Sequence, residues 1–440
     1  MPKLIWESVV KESEIGEIPD KWETKKIDDV CSLQYGITAS SQMMGTCRLL
    51  RMADIQEDGI TPESIPYAEL SEDDIEKYKL READIVISRI ANIGTIGIVK
   101  KRLLEELDKP LVFGSYLLRF VRFKENIDRL FFYYWLKSPF FYEHLLSVAE
   151  GSTRLNTNAK VIGNSPVVVP PLSEQSRIAT LLSGFDDSIE NKKKQNEILE
   201  KTAMAIFKSW FIDFEPFKDV EFVDSELGKI PENWTAKPIG KVAELRNGMS
   251  YSGEEKFEEY VEGSHVFITL NNAIEGGGFK PAYAWIKSNR IKEHHFLEEG
   301  DLIIPNTEQT KDERLLGSPG IVFFPNEYEQ KKGVYSHHIT KISPNDQKYK
   351  LLLYLFLRFS REDSASFHTG TGVLGLDINN FRQNKTVICP SEPVLERFCS
   401  LVEPLFQKII LNQKQIMTLK KVRGAILPLL VFGKLRVEEI

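Results

Sequence analysis

Hydrophobic and polar positions along this chain follow two periods, and each period occurs twice. Short apolar runs bounded by turn residues come first. Residues 83–90 (ADIVISRI) and 95–100 (TIGIVK), joined by a turn at Asn92–Gly94, read as β-strands, as does 111–123 (LVFGSYLLRFVRF). Residues 128–151 read as two short helices broken at Ser138–Pro139, and 167–171 (VVVPP) as a closing strand. The same order then returns. Residues 300–306, 320–325 and 334–342 answer the three strands, 348–370 the helices and 385–390 the closing strand. After each series the period changes. Ile178, Leu181, Phe185, Ile189, Lys192, Asn196, Leu199, Ala203 and Ile206 step by three and four. Phe398, Leu401, Leu405, Ile409, Asn412, Ile416, Leu419, Arg423 and Ile426 repeat that phase 220 residues later. Held over about four heptads, the spacing predicts two long coiled-coil helices, packed on each other antiparallel. Asn196 and Asn412 fall on the seam, where a polar residue fixes register at a cost in stability. The alternative places them near a solvated helix end.

The repeat is also literal. Residues 14–37 (EIGEIPDKWETKKIDDVCSLQYGI) and 226–249 (ELGKIPENWTAKPIGKVAELRNGM) share a frame that runs through Trp22 and Trp234, 212 residues apart, and ends at Gly36 and Gly248. A period near half the chain is too long for a solenoid and indicates two copies of one domain. Such a chain suits a target with two similar halves, of which duplex DNA is the obvious one. The copies differ most between their shared anchors, as expected of one scaffold carrying two reading surfaces. Helices of roughly 45–50 Å would then act as a rigid spacer.

Composition narrows the classes. A chain of 440 residues can hold two to three domains. No apolar stretch approaches the roughly 20 residues of a membrane span. The first residues lack the basic start and apolar region of a signal peptide, so a cytoplasmic location is expected. Cys31, Cys47, Cys389 and Cys399 form no CxxC and have no zinc-finger spacing to histidine, which suits reduced thiols. The net charge of −7 runs against a bare DNA-binding footprint. Positive charge would have to be local, as at Lys100–Arg102, Arg119–Lys124 or Lys287–Lys292, or be supplied by partner subunits. Phe207, Trp210, Phe211, Phe214 and Phe217 recur at three- and four-residue steps. That spacing suits a core or subunit-contact stripe better than a platform for stacking bases. Catalytic signatures are missing. Gly228-Lys229, Gly240-Lys241 and Gly433-Lys434 are each followed by an aliphatic residue, so no P-loop is formed. There is no HExxH, and His294-His295 and His337-His338 lack a third ligand at metal spacing. No Asn-Pro-Pro-aromatic stretch and no recognisable nuclease carboxylate arrangement appear.

The residues that carry the repeat also carry a family resemblance. The duplicated G-x-I-P-x-x-W (Gly16, Ile18, Pro19, Trp22; Gly228, Ile230, Pro231, Trp234) resembles that of the DNA specificity subunits of type I restriction-modification systems. So do residues 167–190 (VVVPPLSEQSRIATLLSGFDDSIE) and the aromatic IFKSWFIDFEPF that follows. The resemblance covers essentially the whole chain. The second copy departs from it at 390–398 (PSEPVLERF), which lacks the second Pro and the Glu-Gln pair. The implied fold is α+β: two pseudo-symmetric mixed target-recognition domains separated by two long antiparallel coiled-coil helices. The implied layout is an N-terminal segment (1–13), recognition domain 1 (14–171), a central region of long helix and aromatic linker (172–222), recognition domain 2 (223–390) and a C-terminal helical region (391–440).

By the same resemblance the chain is non-catalytic and holds no metal or cofactor. Each domain reads half of a bipartite asymmetric site in double-stranded DNA, and the helices set the spacer. They also dock two methyltransferase subunits, which use S-adenosylmethionine to methylate adenine N6. Through these, two restriction subunits that use ATP and Mg would join the complex. Phe207, Trp210, Phe211 and Phe214 are the expected partner-binding residues. One alternative is the same module serving a single fused nuclease-methyltransferase. Others are a duplicated DNA-cleaving enzyme with an unrecognised site, and a coiled-coil adaptor without a DNA role.

Base edges are read by side chains with paired donors and acceptors, set on loops at equivalent points of the two copies. In the first copy the candidates are Tyr35, Ser88, Arg89, Asn92 and Thr95, then Ser152, Thr153 and Arg154. In the second they are Arg246, Asn247, Tyr251, Asn306, Thr307, Gln309, Lys311 and Arg314, then His337, Thr369 and Thr371.

Overall fold

In the computed structural model, which describes residues 10–56, 59–90, 92–149, 156–308, 315–370 and 373–437, the repeated opening frame is turn chemistry. Val10–Lys11 pairs antiparallel with Ile18–Pro19, and Phe222–Ser225 with Gly228–Pro231. Gly16 and Gly228 close these turns at φ of +96° and +89°, a region that penalises any residue with a Cβ. Ser13 donates its hydroxyl to the Gly16 carbonyl and Ser225 to that of Gly228, each at 2.6 Å. The chain then turns inward and buries Trp22 and Trp234.

The chain divides into two compact units, residues up to Ile189 with those from Leu419 onward, and Glu190–Thr418. In the first, β1 (Ser32–Tyr35), β2 (Ile85–Ser88), β3 (Ile96–Ile98) and β4 (Leu117–Val121) form an antiparallel sheet in the order β3-β2-β4-β1. In the second, β5 (Ala243–Asn247), β6 (Leu302–Pro305), β7 (Gly320–Ile321) and β8 (Ile339–Pro344) take the same order, β7-β6-β8-β5. Each unit also has a second sheet with a parallel pair, Leu111–Phe113 beside Cys47–Leu50 and Lys332–Tyr335 beside His265–Ile268. Residues 111–123 and 334–342, each expected as one strand, are therefore two strands in different sheets, interrupted at Gly114–Tyr116 and Ser336–His338.

The interruption lets one strand bond on both sides of the break. Gly36 N donates to Leu117 O and Ile37 N to Phe113 O. Gly248 N likewise donates to Ile339 O and Met249 N to Tyr335 O. A Cβ at Gly36 or Gly248 would lie 2.2 Å from a carbonyl oxygen, of Gly114 or Tyr335. Close backbone approach is thus the reason both copies end their shared frame in glycine. The expected helix break is also present: Ser138 caps the helix Pro139–Val148 by accepting from Phe141 N. The closing strands Pro166–Val169 and Thr386–Cys389 pair with Glu23–Lys26 and Thr235–Pro238.

The long helices α1 (Leu172–Phe211) and α2 (Glu392–Val431) have 40 residues each and outrun the predicted seam at both ends. In the first unit Asp186 of α1 is ion-paired with Arg423 of α2 and accepts a 2.7 Å hydrogen bond from the Tyr134 hydroxyl. Ile178 and Leu182 share a core there with Leu427, Leu430 and Val431. In the second unit Lys192 Nζ donates to Gln415 at 2.6 Å and Asn412 Nδ2 to Asn196 Oδ1 at 2.9 Å. Ala203 and Phe207 share a core with Phe398, Val402 and Phe406. In both units the partner numbers fall on α2 as they rise on α1, so the pairing is antiparallel. Asn196 and Asn412 are buried, which makes them a seam pair and not a solvated end. Two seam assignments shift by one residue: Leu181 and Leu401 are 39% and 45% exposed, while Leu182 and Val402 are buried.

The aromatic stripe at the end of α1 and just beyond it is corrected as well. Phe207, Trp210 and Phe211 are buried, and Phe214 is half-buried. Phe211, Phe214 and Phe217 surround Trp234 at ring separations of 5.4, 5.8 and 4.9 Å. Residues expected to meet a partner subunit are thus committed to the core of the second unit. In the first unit Trp22 is held differently. Its Nε1 donates to Glu174 at 2.9 Å, and Glu174 is ion-paired with Arg436 at 2.6 Å. Gly433 packs against Pro19 and Trp22 where a Cβ would fall 2.4 Å from Pro19. Gln175 is also internal, accepting from Asp128 N and donating to the carbonyls of Asn126 and Pro170. The Glu-Gln pair is therefore structural. The second copy has Val394-Leu395 in its place and packs that region apolarly.

Replacing Asn412 alone with Leu should lower the thermal midpoint, because Asn196 Oδ1 then stays buried without its donor, a loss of about 1–3 kcal/mol. Adding Asn196→Leu should recover most of that loss. Calorimetry on the two variants checks this, and additive losses would show that the pair is not coupled.

Candidate nucleic-acid interface

In the first unit, the end of β1, the end of β2 and the start of β4 meet at one end of the sheet. Past β2, Arg89 N donates to Tyr116 O at 3.1 Å, which sets Arg89 beside Tyr116. The Arg89 side chain donates Nε to Ser115 O at 3.0 Å and lies 5.5 Å from the ring centre of Tyr35. These contacts fix one edge of the guanidinium. Tyr35 is exposed along its ring and accepts at its hydroxyl from Ala159 N. Asn92 is exposed on the β2–β3 turn, which Thr95 braces by donating to the Asn92 carbonyl at 2.9 Å. Ser88 is a correction. It is fully buried and its hydroxyl bonds Ile90 O, so it shapes the loop and does not face a ligand.

The same sheet end in the second unit is a connected polar network. Past β6, Asn306 N donates to His338 O at 2.9 Å, the counterpart of Arg89 and Tyr116. Asn306 Nδ2 donates to His337 O and to Thr340 Oγ1, each at 2.9 Å, and Thr340 donates to Asn247 Oδ1 at 2.7 Å. Thr307 Oγ1 donates to Asn306 Oδ1 at 3.0 Å and lies 3.0 Å from His338 Nδ1. Asn306 is buried and spends its whole amide inside this network, so it positions its neighbours instead of presenting its own edge. Tyr251 packs edge-on to Phe267, with its ring 5.9 Å from that of His337. Thr369 is exposed on a short strand whose partner Gly375 also bridges Thr307. Arg246 is exposed and ion-paired with Glu244 at 2.6 Å. Ser152, Thr153, Arg154, Gln309, Lys311, Arg314 and Thr371 lie outside the described residues.

Strand register makes the two ends comparable position by position. Tyr35 stands opposite Leu118 as Asn247 stands opposite Thr340, and Ser88 opposite Leu117 as Pro305 opposite Ile339. Three equivalent positions thus carry Tyr35, Arg89 and Tyr116 in one unit, and Asn247, Asn306 and His338 in the other. Tyr116, 57% exposed, and His338 were not among the residues expected from sequence. The available signal was Gly114-Ser115 and Ser336-His337 interrupting the apolar run at the same point of both copies. The local basic clusters do not form a bare positive stripe: Arg102 is paired with Glu106, Arg119 with Asp84 and Arg290 with Glu255. Among the described residues no group of three or more His, Cys, Asp and Glu could hold a metal ion, and no helix is long and apolar enough to cross a membrane.

One scaffold used twice, with different polar side chains at equivalent strand ends, defines a recognition protein of two halves. The family model for the type I restriction modification DNA specificity domain matches residues 19–201. The MjaIX specificity subunit of a type I restriction enzyme of Methanocaldococcus jannaschii is 34% identical over 456 residues, covering 100% of this chain and 99% of that one. The HindI specificity subunit of Haemophilus influenzae is 24% identical over 318 residues, covering 61% and 68%. The crystal structure of a type I restriction-modification S subunit from M. genitalium superposes with a TM-score of 0.54 over 95% of this chain and 97% of that one, at 15% identity, a likeness of fold. The chain belongs to the family of type I restriction-modification specificity subunits, and like them it is a non-catalytic recognition component.

Proposed function

We propose that each compact unit reads one half of a bipartite, asymmetric site in double-stranded DNA through the sheet end described above. The observation that carries this reading is the set of three register-matched positions, Tyr35, Arg89 and Tyr116 against Asn247, Asn306 and His338. Equal scaffolds give equal approach to a groove, and unequal side chains give unequal half-sites. The exposed loop candidates Asn92 and Thr369 lie beside these positions and join the same surface.

In this reading α1 and α2 set the gap between half-sites and dock two adenine-N6 methyltransferase subunits, and through them restriction subunits. S-adenosylmethionine, ATP and Mg belong to those partners, which also supply the phosphate contacts that a chain of net charge −7 lacks. With the aromatic stripe buried, the docking faces are the outward sides of the helices. Leu181 and Leu401 support this assignment, since they are exposed apolar residues at equivalent positions 220 residues apart. Two like patches suit two copies of one partner.

Methylation mapping of DNA from cells co-expressing the chain with its methyltransferase partner should give two short blocks around a fixed gap. Arg89→Ala should weaken one block only, by about 1–3 kcal/mol for a lost base contact. Weakening of both blocks, or of neither, would remove Arg89 from the reading surface. Leu181→Asp and Leu401→Asp should each cost one methyltransferase copy, read as complex mass by light scattering, and the double variant both. Inserting one helical turn into α1 and α2 together should lengthen the gap, and an unchanged gap would show that the helices do not set it.

A further inference from the structure

The network in the second unit has a direction, and that direction determines the chemistry of its outer end. A backbone carbonyl can only accept, so the Asn306 atom 2.9 Å from His337 O is the amide Nδ2. Thr340 Oγ1, also 2.9 Å from Nδ2, accepts there and sends its own proton to Asn247 Oδ1. The remaining end of the Asn306 amide is Oδ1, to which Thr307 Oγ1 donates. Thr307 has then spent its only proton, so toward His338 Nδ1 it can only accept. Nδ1 therefore carries the imidazole proton, and Nε2 of the neutral ring is a lone pair. Burial first, then the neighbouring His337 ring, holds His338 below the ordinary imidazole range and keeps it neutral near pH 7.

Resting on the assignment of this unit as a half-site reader, we propose that His338 determines specificity by accepting, at Nε2, a hydrogen bond from an exocyclic amino group in the major groove. The base it reads is adenine or cytosine. Adenine N6 and cytosine N4 present donors there, whereas guanine O6 and N7 and thymine O4 present acceptors, which a lone pair opposes. The ordered polarity belongs to the second unit. Its register partner in the first unit is Tyr116, whose hydroxyl both donates and accepts and so imposes no such choice.

The test uses the full chain with its methyltransferase partner and reads the methylated motif. His338→Phe keeps a ring and removes the acceptor, and Thr307→Val keeps the imidazole and removes the hydroxyl that orders its proton. One column of one block should lose discrimination by on the order of tenfold or more in His338→Phe. The same column should loosen in Thr307→Val, while the other block keeps its sequence. Thr307→Val decides the matter even where His338→Phe abolishes methylation. The proposal is overturned when neither variant alters a column, or when the altered columns fall in the other block. Absence of any chain-dependent motif with the unaltered protein would instead overturn the DNA-reading assignment itself.

Discussion

The antiparallel packing of α1 against α2 is the constraint on which the rest of the molecule depends. Each compact unit closes its core with the end of a helix. Leu430 and Val431 of α2 pack into the cluster that holds Trp22, and Phe207 and Phe211 of α1 into the cluster that holds Trp234. The first unit therefore needs residues from both ends of the chain, and its core cannot close until α2 has been made. Long-range closure of this kind costs chain entropy, which apolar burial along the helices must offset.

Polar residues then decide which helix pairs with which. The residues 220 positions from Asp186 and Arg423 are Phe406 and Ala203, both buried in apolar surroundings. Antiparallel pairing of two like helices would bring Asp186 to the Ala203 position and Arg423 to the Phe406 position. Each charge would then be buried without its partner, whereas α1 with α2 joins them and adds the Tyr134 hydroxyl. A buried ion pair is a poor source of net stability but a strong penalty against the wrong neighbour. The two tryptophans show the same division of means. Trp22 is held through Glu174 and Arg436, and Trp234 through a ring of phenylalanines.

Much of this architecture was legible in the sequence because it rests on local rules applied twice. The Asn92–Gly94 turn, the Ser138–Pro139 break and the paired seams each follow from one residue type or one period. What was hidden depended on choices between neighbours of equal hydrophobicity. Leu181-Leu182 and Leu401-Val402 offer the seam two apolar candidates each, and only packing selects the second. Residues 111–123 and 334–342 are apolar on both sides of their interruptions, so the division between two sheets leaves little trace in hydropathy. Tyr116 and His338, which sit in those interruptions, do not stand out as reading residues for that reason. The aromatic stripe had the spacing of either a core or an interface, and burial resolves it as core.

On the proposed reading, the two halves present opposite kinds of recognition surface. The first offers a long cationic side chain, Arg89, fixed at one edge by Ser115 and by the face of Tyr35, with the rest of its fork of donors available. Beside an Arg246 already paired with Glu244, the second offers short neutral groups joined in one hydrogen-bond network. A network ordered before binding loses little side-chain entropy on contact, and it penalises a mismatched edge because its lone pairs and protons cannot exchange roles without breaking several bonds at once. Neutral readout in one half is also consistent with the acidic balance of the whole chain. Sequence discrimination needs donors and acceptors at fixed points, whereas attraction to the phosphates needs charge, and a subunit that works inside a larger complex can leave the second task to its partners.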